Sequence, residues 1–345
     1  MYRREMLKAA AAGGALLALR APAIAAPTVW REFEITYRVR LDTQHMPARL
    51  WLPVPQDALD YQRVVDLAWR SPAPVSLQWE GPSRAPVVAA TWLDPAVARE
   101  IEVTARVQTR DRSGFYPDAS HDELAEYLRP TASSPVDGIV LKKATEIIGT
   151  RTEPFDKAQA IYDWIVDNTF RRAETRGCGL GNIAFMLESG DLGGKCADIN
   201  SLFVGLARAA GLPARDFFGV RVADSKVTKS LGKSGDITKA QHCRAEVFIA
   251  GKGWFPVDPA DVRKVVLEEQ VPLDSDKVQA LRKRLFGSWE MNWVGFNYAR
   301  DVKLQGQQEA PLGFLMYPYA ETVEGTNDPL DPDHFAYTIS SKEIT

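Results

Sequence analysis

One amphipathic helix in the middle of the chain constrains the rest. After Gly193-Gly194-Lys195 the residues Ile199, Leu202, Phe203, Leu206 and Ala210 recur at helical spacing, and Gly211 followed by Pro213 ends the run. Such a face must be covered. Helices precede it: one carries Val136, Ile139, Val140, Ala144 and Ile147, a second Ala158, Ile161, Tyr162, Ile165 and Val166, and a short third spans residues 182–188. Strands are predicted after it, over residues 216–222, 242–250 and 254–258. Helices running into a sheet give an α+β order.

The opening of the chain has a different period. Phe33, Ile35, Tyr37, Val39 and Leu41 alternate with Glu34, Thr36, Arg38 and Arg40, and the alternation returns in Leu50-Leu52-Val54 and Ile101-Val103-Ala105-Val107. These are half-buried strands, and they predict a small antiparallel β-sandwich-like domain over residues 26–130. The polar segment Thr131-Ala132-Ser133-Ser134-Pro135 marks the passage to an α+β domain over 131–265, and residues 266–345 form an extension of helix and strands that packs on the others. The acidic run Asn327-Asp328-Pro329-Leu330-Asp331-Pro332-Asp333 lacks the glycine and glutamate of a calcium loop and reads as a turn.

Residues 1–25 are set apart from the fold. Arg3-Arg4 precedes an apolar run to Leu19 and then Ala23-Ile24-Ala25, the order of a twin-arginine-type signal peptide, which predicts a periplasmic or secreted protein. The run is too short for a membrane span, and no later stretch reaches that length, so a soluble mature protein without an integral membrane segment is expected. The segment carries Arg3, Arg4, Lys8 and Arg20 against Glu5, so its removal takes the formal charge from −3 to −6. An acidic protein without a basic face is not expected to bind nucleic acid.

With 3 cysteines there is no disulfide scaffold and no zinc pattern, so each is read singly. Cys196 stands at the helix N-terminus, where partial positive charge and free N–H groups favour a thiolate. The glycines before it allow a substrate carbonyl close to the backbone, with the Cys196 N–H as oxyanion donor. Among 4 histidines, His242 opens a strand, and Asp258 follows it by an even number of residues. On neighbouring antiparallel strands that parity lets the two share a face, provided the connection is centred near Ala250. A tight turn centred on Lys252 would set Asp258 opposite Glu246, so a longer loop or a bulge around Gly251-Lys252-Gly253 is expected.

Three blocks in order, G-G-K-C-A-D-x-x-x-L-F-x-x-x-A-R-A-A-G-L-P-A-R, H-x-x-x-E-V and G-W-F-P-V-D-P, resemble the transglutaminase-like superfamily over roughly residues 135–262. The resemblance implies a papain-like α+β core in which Cys196 is the nucleophile, His242 shuttles the proton and Asp258 orients the imidazole. Gly194, Lys195, Arg244 and Trp254 are the candidate substrate and oxyanion neighbourhood. Arg244 stands where many members carry tryptophan, so the pocket wall is expected to differ, as a cation selecting carboxylate-bearing substrates or an ordinary surface ion pair. Trp254 and Pro256 also suit strand packing, and Asp198 suits the helix dipole. Cys178 and Cys243 can pair as a disulfide in an oxidising compartment or remain two buried thiols, Cys243 sharing its parity with Ala245, Val247 and Ile249. Lys226, Lys229, Lys233 and Lys239 are expected on a mobile surface loop beside the site. The reaction class is thiol-dependent acyl transfer on peptide or protein amides, with peptidase or amidase activity preferred over crosslinking. A non-catalytic binding module on the same fold is the reading from another class. No metal, nucleotide or flavin motif is visible.

Overall fold

The structure is a computed structural model that describes residues 29–41, 47–117 and 119–344. The signal segment at residues 1–25 lies outside them.

The first half is sheet. Strand β1 (Arg31–Arg40) buries Phe33, Ile35, Tyr37 and Val39 on one face, as its alternation requires. It is followed by β2 (Ala48–Pro53), β3 (Gln62–Arg70), β4 (Val75–Glu80), β5 (Ala85–Trp92), β6 (Glu100–Thr109) and the short β7 (Arg112–Ser113). The chain then turns helical through α1 (His121–Glu126), α2 (Gly138–Ile148), α3 (Pro154–Asn168), the short β8 (Phe170–Arg171), α4 (Ile183–Ser189), β9 (Gly193–Gly194) and α5 (Cys196–Ala209). Next come β10 (Ala214–Arg221), β11 (Gly235–Asp236), β12 (Gln241–Ile249), β13 (Gly253–Val257), α6 (Pro259–Glu268) and α7 (Asp276–Leu285). Seven strands close the order: β14 (Ser288–Trp289), β15 (Trp293–Asn297), β16 (Arg300–Val302), β17 (Leu312–Phe314), β18 (Tyr319–Thr322), β19 (Gly325–Asn327) and β20 (Ala336–Glu343).

Two five-stranded antiparallel sheets, β11-β20-β1-β6-β3 and β19-β18-β2-β5-β4, share one core of side chains from both and form a β-sandwich. Neither sheet is complete within residues 26–130. Strand β20 runs along β1 from Phe33↔Glu343 to Arg40↔Ala336, and β18 covers β2. The C-terminal extension is therefore dispersed: it supplies strands to both sandwich sheets and β15 to the sheet beside α5. Its pattern hid this, because β20 buries only Ile339 and Ser341 and lacks the apolar alternation that betrays a strand.

The third sheet, β13-β12-β10-β15, is antiparallel and carries α5 on one face, over Ala214, Phe218, Cys243, Ala245, Val247 and Ile249. The sequence gives α5 one apolar stripe, yet every residue from Cys196 to Arg208 is buried. The helix is enclosed by α2, α3, α4 and α6 as well as the sheet. Its polar residues are satisfied internally: Ser201 Oγ donates to Asp216 at 2.9 Å and Arg208 Nε to the Ala214 carbonyl at 2.7 Å.

Strands β12 and β13 are joined by a tight turn, without the longer loop or bulge expected there. Ile249 pairs with Gly253 and Ala245 with Val257, so the turn is centred on Gly251, which adopts φ +75°. Asp258 thus comes level with Arg244, one diagonal step from His242, where side chains on the same face still meet. It has already left the strand, at φ −151° and ψ 74°, and caps α6 by accepting from Asp261 N–H. That departure carries its carboxylate to His242.

The lysine-bearing stretch between Ala223 and Gln241 is anchored rather than a mobile loop. Glu269 accepts from Thr228 Oγ1 at 2.5 Å and Ser230 Oγ at 2.6 Å, and Glu290 accepts from Lys226 N–H at 2.6 Å. Ile237 is fully buried, and β11 pairs with β20. Among the described residues no helix is long and apolar enough to cross a membrane.

Candidate active site

Cys196 is the first residue of α5 and is buried. The turn before the helix is held by Asp198, whose Oδ1 accepts from the N–H groups of Leu180 and Gly181, each at 2.9 Å, and whose Oδ2 accepts from Lys195 N–H at 3.0 Å. Asp198 therefore does more than complement the dipole: it clamps the 179–181 strand of chain against the cysteine turn. Gly194 and Gly179 are glycines for this clamp. A Cβ on Gly194 would lie 2.5 Å from the Asp198 side chain, and one on Gly179, already at φ +91°, only 1.8 Å from it. Ala197 N–H donates to the Cys178 carbonyl at 2.9 Å, which fixes Cys178 beside the helix start.

His242 lies on β12, and its Nε2 is 2.8 Å from Asp258 Oδ2 and 3.5 Å from Asp261 Oδ2. The other ring nitrogen is left for the Cys196 sulfur, with which the imidazole interacts. Asn200, one turn after Cys196 on α5, ties the parts together: its Nδ2 donates to the Cys243 carbonyl at 2.8 Å and to Asp258 Oδ1 at 3.1 Å, and its Oδ1 accepts from Ala260 N–H at 3.2 Å. Arg221 on β10 donates to Asp261 Oδ1 at 2.6 Å. Sequence reasoning missed Asn200, Asp261 and Arg221. Asn200 alone left a signal, a polar residue one turn from the cysteine.

The electrostatics follow from this packing. The neighbouring Cys178 and Cys243 thiols, then the imidazole of His242, outweigh burial and hold the Cys196 thiol well below its ordinary value, while the nearby Cys196 pushes Cys178 well up. For His242, burial opposes protonation, but Asp261 and Asp258 outweigh burial and the neighbouring Arg221 and raise it. Burial, then the adjacent Asp261, raises Asp258. Asp261 goes the other way, because Arg221 and His242 overcome its burial. A lowered thiol beside a raised imidazole favours the thiolate–imidazolium form.

Of the readings left open, the structure takes buried thiols for Cys178 and Cys243 and packing for Trp254, and for Arg244 it takes neither. Cys178 and Cys243 form no disulfide: both are free, buried thiols, and the Cys178 thiol donates to the Gln241 carbonyl at 3.4 Å. Arg244 is neither a pocket wall nor a surface pair. It is 2% exposed, packs against Trp289 and Trp293 at 5.4 and 4.9 Å, and backs Asp258 at 3.6 Å on the side away from the opening. Trp254 is fully buried under Arg215 at 3.9 Å, so it packs the far face of the sheet. Lys195 does line the opening beside Cys196.

That opening is a cleft of about 840 Å³ with Cys178, Cys196 and His242 among its walls. Its lining includes residues of the segment 229–241 and, from the C-terminal region, Tyr317, Leu330, Phe335 and Tyr337. Ligand atoms of His242, Asp258 and Asp261 lie within 4.8 Å of one another, a set that could hold a metal ion in other surroundings. Here Arg221 and Arg244 already press on the two carboxylates and supply the positive charge.

Comparison with known proteins agrees with this architecture. Residues 142–259 match the transglutaminase-like superfamily. A Haemophilus influenzae protein, itself uncharacterised, is 39% identical over 318 residues, which is 86% of each chain. The crystal structure of a protein from Cytophaga hutchinsonii, proposed to be a cysteine protease, superposes with a TM-score of 0.53 at 17% identity, covering 91% of this chain and 99% of that one. The periplasmic domain of TgpA from Pseudomonas aeruginosa is more distant, with a TM-score of 0.38 at 15% identity over 71% of this chain and 92% of its own. With its helix-led cysteine, antiparallel sheet and match over the segment that contains both, the chain belongs to the transglutaminase-like superfamily.

Proposed function

We propose that this protein is an exported, thiol-dependent acyl-transfer enzyme that hydrolyses peptide or protein amides, with Cys196 as nucleophile, His242 as proton shuttle and Asp258 as orienting carboxylate. One observation carries the reading: the Cys196 sulfur and the His242–Asp258 pair, 2.8 Å apart, meet at the wall of an open cleft. The thiolate attacks the amide carbonyl carbon, and the Cys196 N–H at the start of α5 faces the developing oxyanion. As the C–N bond breaks, imidazolium gives its proton to the leaving amine, and the acyl group stays on sulfur as a thioester. Water, deprotonated by the now neutral His242, attacks the thioester and returns the thiol.

Hydrolysis is favoured over crosslinking by the charge of the cleft. Its lining carries eight cationic side chains and two carboxylates, and a lysine ammonium approaching as acyl acceptor would be repelled. Export and a periplasmic or extracellular setting rest on the order of residues in the first 25.

The test is alkylation by iodoacetamide against pH, located on Cys196 by mass spectrometry. Wild type should show a thiolate titrating well below the ordinary cysteine value of about 8.5, and His242→Ala should move the titration up towards it. An accessible, reduced Cys196 that titrates normally in both would sink the proposal.

A further inference from the structure

Lysines that line the proposed catalytic cleft are left without carboxylate partners. The protein as a whole is slightly acidic, with formal charge −3, yet this cleft concentrates positive charge. Four of its cations are already engaged: Arg171 and Lys264 with Glu268 at 3.2 and 3.7 Å, Arg176 with Asp328 at 2.6 Å, and Arg221 with Asp261 at 2.6 Å. The other four, Lys195, Lys229, Lys233 and Lys239, have no carboxylate within ion-pair distance among the described residues. They are not scattered. Lys195 adjoins Cys196, and the other three sit on one anchored segment that forms a single wall.

The backbone of that wall is fixed, so the charges are presented rather than incidental. Lys233 N–H donates to the Ala223 carbonyl at 3.0 Å, and Glu269 holds both Thr228 and Ser230 on either side of Lys229. Inside the cleft, burial and then Arg221 push Lys264 down to about 8, a sign that the site is already crowded with positive charge. The lining also includes the apolar and aromatic Tyr317, Leu330 and Tyr337. Three lysines against the single carboxylate of Asp236 on one segment, with apolar side chains in the same cleft, suit an extended ligand that carries several carboxylates.

We propose that the cleft selects acidic peptide segments, with Lys229, Lys233 and Lys239 reading side-chain carboxylates next to the amide presented to Cys196. The inference rests on the acyl-transfer reading for the role of Cys196, but the binding it states can be measured without turnover. Arg244, whose charge suggested the same selectivity from sequence, plays no part, because it is sealed behind Asp258.

The experiment uses the full chain with Cys196→Ala and two synthetic peptides of one sequence, one carrying three glutamates and the other glutamines at the same places. Binding is followed by calorimetry at low and high salt. The acidic peptide should bind at least about tenfold more tightly at low salt, since several exposed pairs of modest strength add up, and salt should erase the advantage. Lys229→Glu with Lys233→Glu should abolish or invert the preference, and Lys229→Gln with Lys233→Gln should give an intermediate result that guards against a fold defect. Equal affinities, a preference that survives charge reversal, or a single-stranded oligonucleotide that displaces the acidic peptide at lower concentration would each overturn the proposal. Wild-type turnover separates the two readings. Tight binding of the acidic peptide without cleavage removes the enzyme and keeps the selectivity, whereas equal cleavage of both peptides does the reverse.

Discussion

Two buried charge clusters lie on one face of β12, only a turn of the pleat apart, and they have opposite characters. Around Glu246 the carboxylate is used up: Oε1 lies 3.0 Å from Arg112 Nη2 and accepts from Tyr61 OH at 3.3 Å, while Oε2 is 2.7 Å from Arg215 Nη2. Arg215 is itself pressed between Trp254 and Tyr298 at 3.9 and 4.0 Å. Around His242 the charges are as deeply buried, but the imidazole meets two carboxylates at its Nε2, with Arg221 behind Asp261 and Arg244 behind Asp258, and its other nitrogen is left for Cys196. Burial of charge therefore does not mark a site. A group that can exchange a proton, next to a nucleophile on an open cleft, does.

The contrast can be broken in three places. The largest effect is expected from Asp258→Asn. The side-chain oxygen that serves Asn200 and the α6 cap can stay, but the new NH₂ would face His242 Nε2 and force its proton onto the nitrogen that faces sulfur. A fall in kcat of about 10⁴-fold is expected from such a tautomer change, with the fold intact. Turnover within tenfold of wild type would remove Asp258 from the mechanism.

Glu246→Gln should act on stability instead. It leaves Arg112 buried against a neutral partner and Arg215 to its pair with Glu123, at a cost of about 3–5 kcal/mol. Denaturant unfolding should report that loss, and Cys196 in the folded fraction should alkylate at the wild-type rate. Slowed alkylation would mean that the two clusters are one unit. The smallest effect is expected from Asp261→Asn. Among the groups that raise His242, Asp261 is the foremost, so its neutralisation lets the imidazolium deprotonate at lower pH. The alkaline limb of kcat/KM should then move to lower pH, since the protonated ring is the partner of the thiolate. An unmoved limb would make Asp261 a structural partner of Arg221 only.

Linkage gives the same cluster a pH signature. The folded pKa of His242 is raised, so its contribution to stability is complete below the unfolded value near 6.5 and is lost as pH rises through the folded one. Cys196 is lowered, so its contribution is present above the ordinary thiol value and is lost as pH falls through the folded one.

The sequence by itself determined part of the local grammar: that α2, α3, α4 and α5 are helices and β1, β2, β6, β10, β12 and β13 are strands, that Cys196 starts α5, and that His242 shares strand parity with Arg244 and Glu246. These follow from periods of 3.6 and 2 and from glycine and proline punctuation, which are properties of neighbouring residues. Whether Asp258 could reach His242 was not legible, because a shift of one residue in the hairpin changes which residue stands opposite, and the answer came from the turn at Gly251 together with the exit of the chain into α6. Periodicity names the residues on a face but not what lies over it. Only the tertiary structure turned Arg244 and Trp254 away from the cleft, brought Asn200, Asp261 and Arg221 to the imidazole, and ran β20 along β1, since each depends on packing between segments far apart in the chain.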